Sequence, residues 1–385
     1  MMMADRGVDP HRRRLLGLLG ATAGWGMAGR LAGAPARAAS SSAPIAPLHS
    51  QASLPPPSAP EAALAEGARL IVAGPEGGTL VHWASALVPA LEAALPPGTK
   101  LTIETLGAAD GVTGANRFGA RAAPDGLTLL LAPGEAAIDW LAGDPRAQFD
   151  AGHWVGVLAG TTSAMVMGRF GTDGLASPGG HKLRVAAAGP AGLDLPMLLG
   201  LDLLGIRTTP VFGLSGAMAL QSAFAAKKVD LVCLRGHQAR DQVAALRGVG
   251  AVPSFTLGAL DEQGRTVPDP AFAGVPDFAG LFTGRQGHAP VGALYEAWRA
   301  AAMAARMEFG MILPQLTPAA LVALWRRAGG QAGASLAVQT RAEPLGVHIL
   351  SDVAATAAIA RVAPDSNALL ALREWLARHY NWHPG

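Results

Sequence analysis

Several residues that could bind an anionic solute lie in glycine-rich loops after apolar, strand-like segments. Arg235 directly follows the apolar segment at positions 229–234, and its guanidinium could hold a carboxylate through two parallel hydrogen bonds. A solvated loop arginine is the other interpretation of this residue. The loop from Gly74 to Thr79 leads into a helical pattern, and a helix N-terminus favours an anion through its free N–H groups and its dipole. These patterns predict binding of a small acidic solute.

Thr79, Glu76, Glu135 and Asp194 are four further polar residues in or near these loops, and each could have a structural role or face the ligand. Thr79 either caps its helix with the hydroxyl group, donates a hydrogen bond to a ligand, or does both. Glu76 in the same loop would repel an anion unless it faces away. Glu135 and Asp194 are favoured as carboxylates that stabilise helix N-termini. If both instead face the ligand, the ligand would carry an amine or another hydrogen-bond donor.

The predicted ligand-binding set collects these loop residues, and no catalytic residue, metal ligand or cofactor is predicted. The set is Glu76, Gly77, Gly78, Thr79, Gly134, Glu135, Gly189, Gly192, Asp194, Arg235 and His237. Ser215 in GLSGA lacks the second glycine of a nucleophile elbow, which argues against a hydrolase. His379 and His383 are four residues apart, but Pro384 and the lack of a nearby acidic ligand argue against zinc.

The stretch from Ala120 to Gly134 indicates the elements that must position these residues. Pro124-Asp125-Gly126 is typical of a tight turn, since proline presets φ and glycine accepts a positive φ. Residues 127–131 form an apolar run, which predicts a strand buried on both faces within a parallel sheet covered by helices. Gly134 follows at the carboxyl end, where open α/β sheets bind ligands.

Strands and helices alternate along most of the chain, which predicts the α/β class. Residues 69–131 contain a βαβαβ pattern, and a second α/β unit occupies residues 182–234. The C-terminal third is predicted to be helical. Half of the 385 residues are hydrophobic, which is enough for a large core, and the net charge of +2 is too small to suggest nucleic-acid binding. Cys233, the single cysteine, is predicted to be a buried apolar residue of a strand.

The N-terminus has the pattern of an export signal. Residues 1–38 contain the arginine cluster Arg12 to Arg14, a leucine and alanine stretch diluted by glycines, and a small-residue site ending at Ala38. This predicts a twin-arginine signal peptide and release into the periplasm. A membrane anchor is disfavoured because Arg30 closes the stretch short of the ~20 apolar residues that a span needs. Residues 39–66, rich in Ser, Pro and Ala, predict a disordered linker.

Six separated segments then match one family in order. The chain resembles the periplasmic substrate-binding receptors of tripartite tricarboxylate transporters, also called Bug-type or TctC-like receptors. The matching segments are IVAGPEGGT (71–79), LGAADGVTGAN (106–116), APDGLTLLL (123–131), FDAGHWVGVLA (149–159), AGPAGLDL (188–195), which takes the place of the family's second ligand loop, and TPVFGLSGAMALQSAFAAKKVDL (209–231). Glycine loops after strands occur in all α/β folds, so the shared order of the segments carries the resemblance.

The resemblance implies a type II periplasmic-binding-protein fold, with two doubly wound α/β lobes and a ligand cleft between them. Residues 67–160 and 254–385 would form lobe 1, and residues 161–253 lobe 2. The implied function is capture of a small, carboxylated organic solute without chemistry, by a monomer that acts with the permease subunits of such a transporter or with a sensor kinase. The alternatives are a receptor-derived signalling or structural protein that has lost transport, and an enzyme on a related α/β scaffold.

The chain departs from the family pattern at five places. Glu76 occupies a position where a small residue is usual, and residues 169–182 are too few for the helix that is usual there. Leu80 replaces the aspartate that commonly ends the first loop, and the loop at 189–194 offers fewer hydroxyl donors than its serine-rich counterpart. Residues 289–306 form an additional helical segment. These departures concern the ligand specificity more than the fold.

Overall fold

The computed structural model describes residues 64–172, 175, 182–236 and 239–383. The predicted signal peptide and all but the end of the predicted linker lie outside these residues. Leu64, which the linker prediction includes, is fully buried against the core of the first sheet, so the packed chain starts before residue 67.

Strands and helices alternate through the first two thirds of the described chain. The strands are β1 (Ala68–Ala73), β2 (Leu101–Leu106), β3 (Thr128–Ala132), β4 (Trp154–Thr161), β5 (Ala164–Gly168), β6 (Leu183–Ala186), β7 (Thr208–Val211), β8 (Leu231–Arg235), β9 (Val252–Thr256), β10 (Ala259–Leu260), β11 (Thr266–Val267), β12 (Met307–Pro314) and β13 (His348–Leu350). The helices are α1 (Thr79–Ala94), α2 (Val112–Arg121), α3 (Gly134–Ala142), α4 (Leu195–Leu203), α5 (Ala217–Ala225), α6 (Ala239–Gly248), α7 (Phe278–Gln286), α8 (Ala293–Arg306), α9 (Ala319–Gly333), α10 (Leu336–Leu345), α11 (Asp352–Arg361) and α12 (Ser366–Tyr380).

The first sheet has six strands in the order β13-β4-β12-β3-β1-β2. Strands β1, β2 and β3 are parallel, and Leu70 of β1 pairs with Leu129 of β3. The prediction that β3 is buried on both faces is confirmed, because Leu129 and Leu130 are fully buried. The prediction of a parallel sheet around β3 is wrong on one side, since β12 returns antiparallel and pairs Ile312 with Leu130.

The second sheet has five strands in the order β7-β6-β8-β5-β9. Strand β6 runs parallel to both β7 and β8, whereas β5 lies antiparallel to β8 and β9. The chain passes from the first sheet to the second through Thr162 and Ser163, between β4 and β5. Cys233 in β8 is buried, as predicted, and burial raises the pKa of its thiol to about 12.

Helix α8 packs against elements that accompany both sheets. It contacts α3 and α12, which lie with the first sheet, and α4, which precedes the second sheet's β7. Its alanine-rich sequence keeps these contacts close, and nine of its residues are buried. Trp298 stacks on Phe278 at 4.0 Å and donates a hydrogen bond from Nε1 to the carbonyl oxygen of Pro196 at 2.9 Å. One hydrophobic cluster therefore runs through residues of both sheets.

Tryptophans fill much of the core of the C-terminal helices. Apolar helical positions of this kind predict core packing, and Trp298, Trp325 and Trp375 are buried, while Trp382 is only partly buried. Within the part of the chain that the structure describes, no helix combines the length and apolarity required to cross a membrane.

We expect Trp298→Ala to lower the free energy of unfolding by about 3–5 kcal/mol, because the substitution removes a buried aromatic side chain and leaves a cavity. Urea denaturation followed by circular dichroism measures this. Trp382→Ala is the matched control: Trp382 also donates from Nε1 to a carbonyl oxygen, that of Ala142, but is only partly buried, so its loss should be clearly smaller. Equal losses in the two variants would contradict the packing role of α8.

Candidate functional site

A cleft of about 420 Å³ lies where the loops of the first sheet face the end of β8. Its lining combines the loops after β1, β2 and β3 with residues around β8 and the junction of α8 and β12. The lining residues are Gly74, Pro75, Gly78, Thr79, Leu80, Ala109, Pro133, Gly134, Glu135, Thr162, Leu193, Arg235, Gly236, Ala305, Met307 and Glu308. The carboxyl ends of parallel strands in open α/β sheets are the usual place for a ligand.

Helix α1 begins at this cleft with its backbone donors available. Gly78 occupies the N-cap position with an extended conformation, and no side chain caps the helix. The prediction that the Thr79 hydroxyl caps this helix is therefore wrong: Thr79 is the first helical residue and lines the cleft. The first N–H groups of a helix have no partner within it, so this end can receive an anion.

Helix α3 begins on the same side of the cleft. Gly134 is its first residue, and a Cβ atom there would lie 1.9 Å from the carbonyl oxygen of Ala304 in α8. Only glycine permits that approach, so Gly134 is required by backbone packing as well as by its place in the cleft. Glu135 lies in the first turn of α3, as predicted, and also lines the cleft.

Arg235 is the last residue of β8 and forms an ion pair with Asp194. The Arg235 Nη1 to Asp194 Oδ1 distance is 2.5 Å, and the Asp194 side chain is 6 % exposed. The other carboxylate oxygen of Asp194 accepts from the backbone N–H of Ala188 at 2.9 Å. Asp194 stands at the N-cap position of α4, which agrees with the favoured interpretation as a helix N-terminal carboxylate, but its side chain makes no capping hydrogen bond. Its side chain instead orients the arginine.

Arg235 has further donors beyond this ion pair. Among the described residues, Nη1 is the one guanidinium nitrogen of Arg235 that donates to an oxygen acceptor, and the buried Cys233 thiol also interacts with the guanidinium. The Arg235 side chain is 21 % exposed and lines the cleft. Burial lowers the pKa of Arg235, but the charge and hydrogen bond of Asp194, together with the charges of Cys233 and Glu135, outweigh burial and raise the pKa above its ordinary value. The group is a permanent cation.

The environment of Glu135 favours its neutral form, whereas that of Arg235 favours its charged form. Burial raises its pKa, the positive charge of Arg235 lowers it, and the charges of Asp110 and Asp194 raise it further, with a net increase. Asp110 itself is held by Arg146, whose Nη1 lies 2.8 Å from Asp110 Oδ2. The cleft thus presents one paired guanidinium and two carboxyl groups, those of Glu135 and Glu308, of which Glu135 has a raised pKa.

The other predicted site residues are spread around the cleft. Glu76 and Gly77 belong to the loop after β1 but do not line the cleft, and Glu76 is exposed. Gly189 and Gly192 lie in the loop that contributes Leu193, yet neither lines the cleft. His237 lies outside the described residues.

Sequence reasoning missed the contributions of the α8–β12 junction and of the β4–β5 connection. The α8–β12 junction contributes Ala305, Met307 and Glu308 to the lining of the cleft, and the β4–β5 connection contributes Thr162. No sequence motif marks these positions.

Near the C-terminus, His379 and Trp375 both contact Asp202. His379 Nε2 lies 3.6 Å from Asp202 Oδ1, and Trp375 Nε1 donates to Asp202 Oδ2 at 2.8 Å. In the described ranges, no group of three His, Cys, Asp or Glu side chains is arranged to hold a metal ion.

Comparison with known proteins defines the fold. No protein-family model and no curated protein sequence matches the chain. The structure is similar to that of a TctC solute-binding protein from Polaromonas without ligand, with a TM-score of 0.61, 14 % identity, and coverage of 81 % of this chain and 98 % of that chain. It is also similar to MatC from Rhodopseudomonas palustris with bound malate, with a TM-score of 0.49, 20 % identity, and coverage of 80 % of this chain and 99 % of that chain.

The first similarity carries the fold assignment. The described chain has the α/β fold of a periplasmic solute-binding protein, with two sheets that correspond to two lobes. The predicted type II periplasmic-binding-protein fold is confirmed, and the resemblance to tricarboxylate-transporter receptors is confirmed at the level of the fold. The exact lobe boundaries stay a prediction.

We expect Gly134→Ala to destabilise the protein by about 3 kcal/mol, because the added methyl group must displace the backbone of α8. Differential scanning calorimetry would measure the change. Gly189→Ala is the matched control, since a Cβ atom there meets no atom within 4 Å, and it should change stability by less than about 0.5 kcal/mol. A Gly134→Ala variant as stable as the control would contradict the close approach of α3 and α8.

Proposed function

We propose that this chain is a periplasmic receptor of the Bug type, which captures a small carboxylated organic solute and does no chemistry on it. The single observation that carries the proposal is Arg235, which lines a cleft at the strand ends and is oriented by Asp194, and whose Nε and Nη2 donate to no oxygen acceptor among the described residues. A guanidinium held in this way binds a carboxylate through two hydrogen bonds. The fold shared with a TctC solute-binding protein supports the same class of function.

The charges of the cleft restrict the solute further. Asp194 already neutralises most of the charge of Arg235, and Glu135 adds a negative group to the lining. A second or third carboxylate on the solute would therefore meet repulsion rather than a partner. We infer a solute with one carboxylate on Arg235 and a hydroxyl or protonated amine toward Glu135. The N-termini of α1 and α3 favour the carboxylate end as well.

The apolar part of the lining fits a short carbon skeleton. Leu80 stands where the family commonly has an aspartate, and Leu193 and Met307 add further apolar surface. The volume of about 420 Å³ is that of a site for a small organic molecule rather than a polymer. The solute class is accordingly a small hydroxy or amino monocarboxylate.

The wider biological role follows from this assignment. Export by the twin-arginine route would place the receptor in the periplasm, where its partners would be the permease subunits of a tripartite tricarboxylate-type transporter or a sensor kinase. These partners and this route rest on the sequence resemblance and the N-terminal pattern. A monomer suffices for such a role.

A second candidate function has one observation in its favour. Helix α8 is buried against α3, α12 and α4, so the two sheets share one hydrophobic cluster. Receptors of this kind ordinarily close by hinge motion between lobes. A chain in which α8 resists that motion would suit a signalling or structural protein derived from a receptor.

The test of the receptor proposal uses a neutral replacement of the ion pair. We expect the double variant Arg235→Gln, Asp194→Asn to bind lactate roughly 10- to 100-fold more weakly than the wild type, because charge-assisted hydrogen bonds to the carboxylate are lost. Isothermal titration calorimetry measures the affinity. Changing both partners avoids an unpaired buried carboxylate at Asp194, which would destabilise the fold.

The control is Arg373→Gln, since Arg373 donates to the carbonyl oxygens of Trp140 and Leu141 and does not line the cleft. This variant should bind lactate like the wild type. If lactate, pyruvate, succinate and citrate all fail to raise the melting temperature of the wild type, the signalling or structural alternative gains support. Equal lactate affinity in the double variant and the wild type would exclude Arg235 as the carboxylate partner.

Lactate binding should strengthen as the pH falls from about 7.5 to about 5. The pKa of Glu135 is raised, and a bound anion raises it further, so the protonated form of Glu135 binds the anion better. Over this range the lactate carboxyl group stays ionised. Calorimetric titrations at several pH values measure the effect, and Glu135→Gln should remove most of it. A pH dependence that persists in Glu135→Gln would assign it to another group.

A further inference from the structure

A second cavity, of about 730 Å³, lies beside the connection between the two sheets; we call it the hinge pocket. Its lining comes from the β4–β5 connection, the β10–β11 hairpin, the end of α8, strand β13 and the start of α11. The lining includes the polar residues Ser163, Asp269 and Arg306 and the apolar residues Leu260, Val347 and Ile349. Thr162 borders both the hinge pocket and the cleft that contains Arg235.

Arg306 is a buried cation with unused donors. It is the last residue of α8, is 5 % exposed, and donates from Nε to the carbonyl oxygen of Thr162 at 3.3 Å. Neither Nη1 nor Nη2 donates a hydrogen bond to any described residue. Burial lowers the pKa of Arg306 to about 10, so the guanidinium is still charged at neutral pH. A buried cation with a single hydrogen-bond partner is costly, and an anionic group that accepts from the other two nitrogens would offset that cost.

Asp269 is the opposite charge in the same pocket. It is 3 % exposed, and Oδ1 accepts from Ser163 Oγ at 3.1 Å and from the backbone N–H of Ala271 at 3.0 Å. Its Oδ2 atom is buried and has no hydrogen-bond partner among the described residues. An unsatisfied buried carboxylate oxygen of this kind is stabilised by a cationic donor that reaches it.

The two charges do not pair with each other. Within the described chain, Asp269 and Arg306 form no ion pair, so their charged atoms lie more than 4.0 Å apart, although each affects the other electrostatically. Two buried, opposite charges with unused hydrogen-bonding atoms in one pocket suit a ligand that carries both an anion and a cation. An α-amino acid has a carboxylate and an ammonium group on one carbon.

The remainder of the lining indicates the side chain of that amino acid. Leu260, Val347 and Ile349 contribute apolar surface, together with Val267 and Val353. The polar rim adds the carboxylates of Glu262 and Asp352, and that of Asp261, which is already held by Arg265. An acidic side chain would be repelled there, whereas an aliphatic side chain finds contact.

We infer that the hinge pocket binds an α-amino acid with an aliphatic side chain, its carboxylate on Arg306 and its ammonium group on Asp269. This site is separate from the proposed solute site, since it uses different charged residues and a different cavity. Binding there would hold the β4–β5 connection through Ser163 and Thr162, and Arg306 lies between Ala305 and Met307 of the other cleft. Occupancy of the pocket would therefore affect affinity at the Arg235 cleft.

The experiment is calorimetric titration of the full chain with L-leucine. We expect binding by the wild type and at least tenfold weaker binding by Asp269→Asn, which keeps the size of the side chain, and by Arg306→Lys. Asp277→Asn is the matched control, because Asp277 also caps a helix in this region, through Gly280 N, but does not line the pocket. This control should bind leucine like the wild type.

Two half-ligands test the same point without any variant. 4-Methylpentanoate lacks the ammonium group of leucine, and 3-methylbutylamine lacks its carboxylate. Each should bind the wild type at least tenfold more weakly than leucine does. Absence of leucine binding at millimolar concentration, or half-ligands as tight as leucine, would overturn the inference.

Binding of leucine at the Arg235 cleft is distinguished by the variants. In that case Asp269→Asn and Arg306→Lys would leave leucine affinity unchanged, while the Arg235→Gln, Asp194→Asn double variant would reduce it. That outcome would also overturn the inference. Lactate affinity retained in Asp269→Asn would show that the proposed receptor function stands independently of the hinge pocket.

Discussion

The close packing of helix α8 is the constraint on which the rest of the structure depends. Its alanine-rich surface allows α3 to approach so closely that only glycine fits at position 134. On another side, Trp298 fills space against Gly200 of α4 and hydrogen bonds to the backbone at Pro196. The same helix ends at Arg306, so its last turn contributes to both cavities. A single helix thereby links the two sheets and shapes both candidate sites.

The two cavities handle buried charge in different ways. In the cleft, Arg235 is paired with Asp194, and its Nε and Nη2 donate to no oxygen acceptor among the described residues. In the hinge pocket, Arg306 and Asp269 are both buried but unpaired with each other. The first arrangement resembles a preformed half-site for an anion. The second leaves opposite charges for a zwitterion to satisfy, because isolated buried charges are unfavourable.

Much of the fold was predictable because local patterns agree with the tertiary structure. The apolar run ending at Leu131 could only be a strand covered on both faces, and the helix from Thr79 follows from its apolar spacing and the stop at Pro96. The antiparallel return of β12 beside β3 was not predictable, since an apolar strand has the same composition in either direction. The Thr79 cap was mistaken because Gly78 begins the helix without a side-chain hydrogen bond.

The sequence by itself determined the α/β class, the loops at the strand ends and the presence of Arg235 at the end of an apolar strand. Tertiary structure alone decided that Asp194, 41 residues away along the chain, orients that arginine instead of capping its own helix. The tertiary structure also decided that helix α8 lies between elements that accompany the two sheets. Contacts of this kind join residues distant in sequence, and periodicity and composition report only the neighbours along the chain.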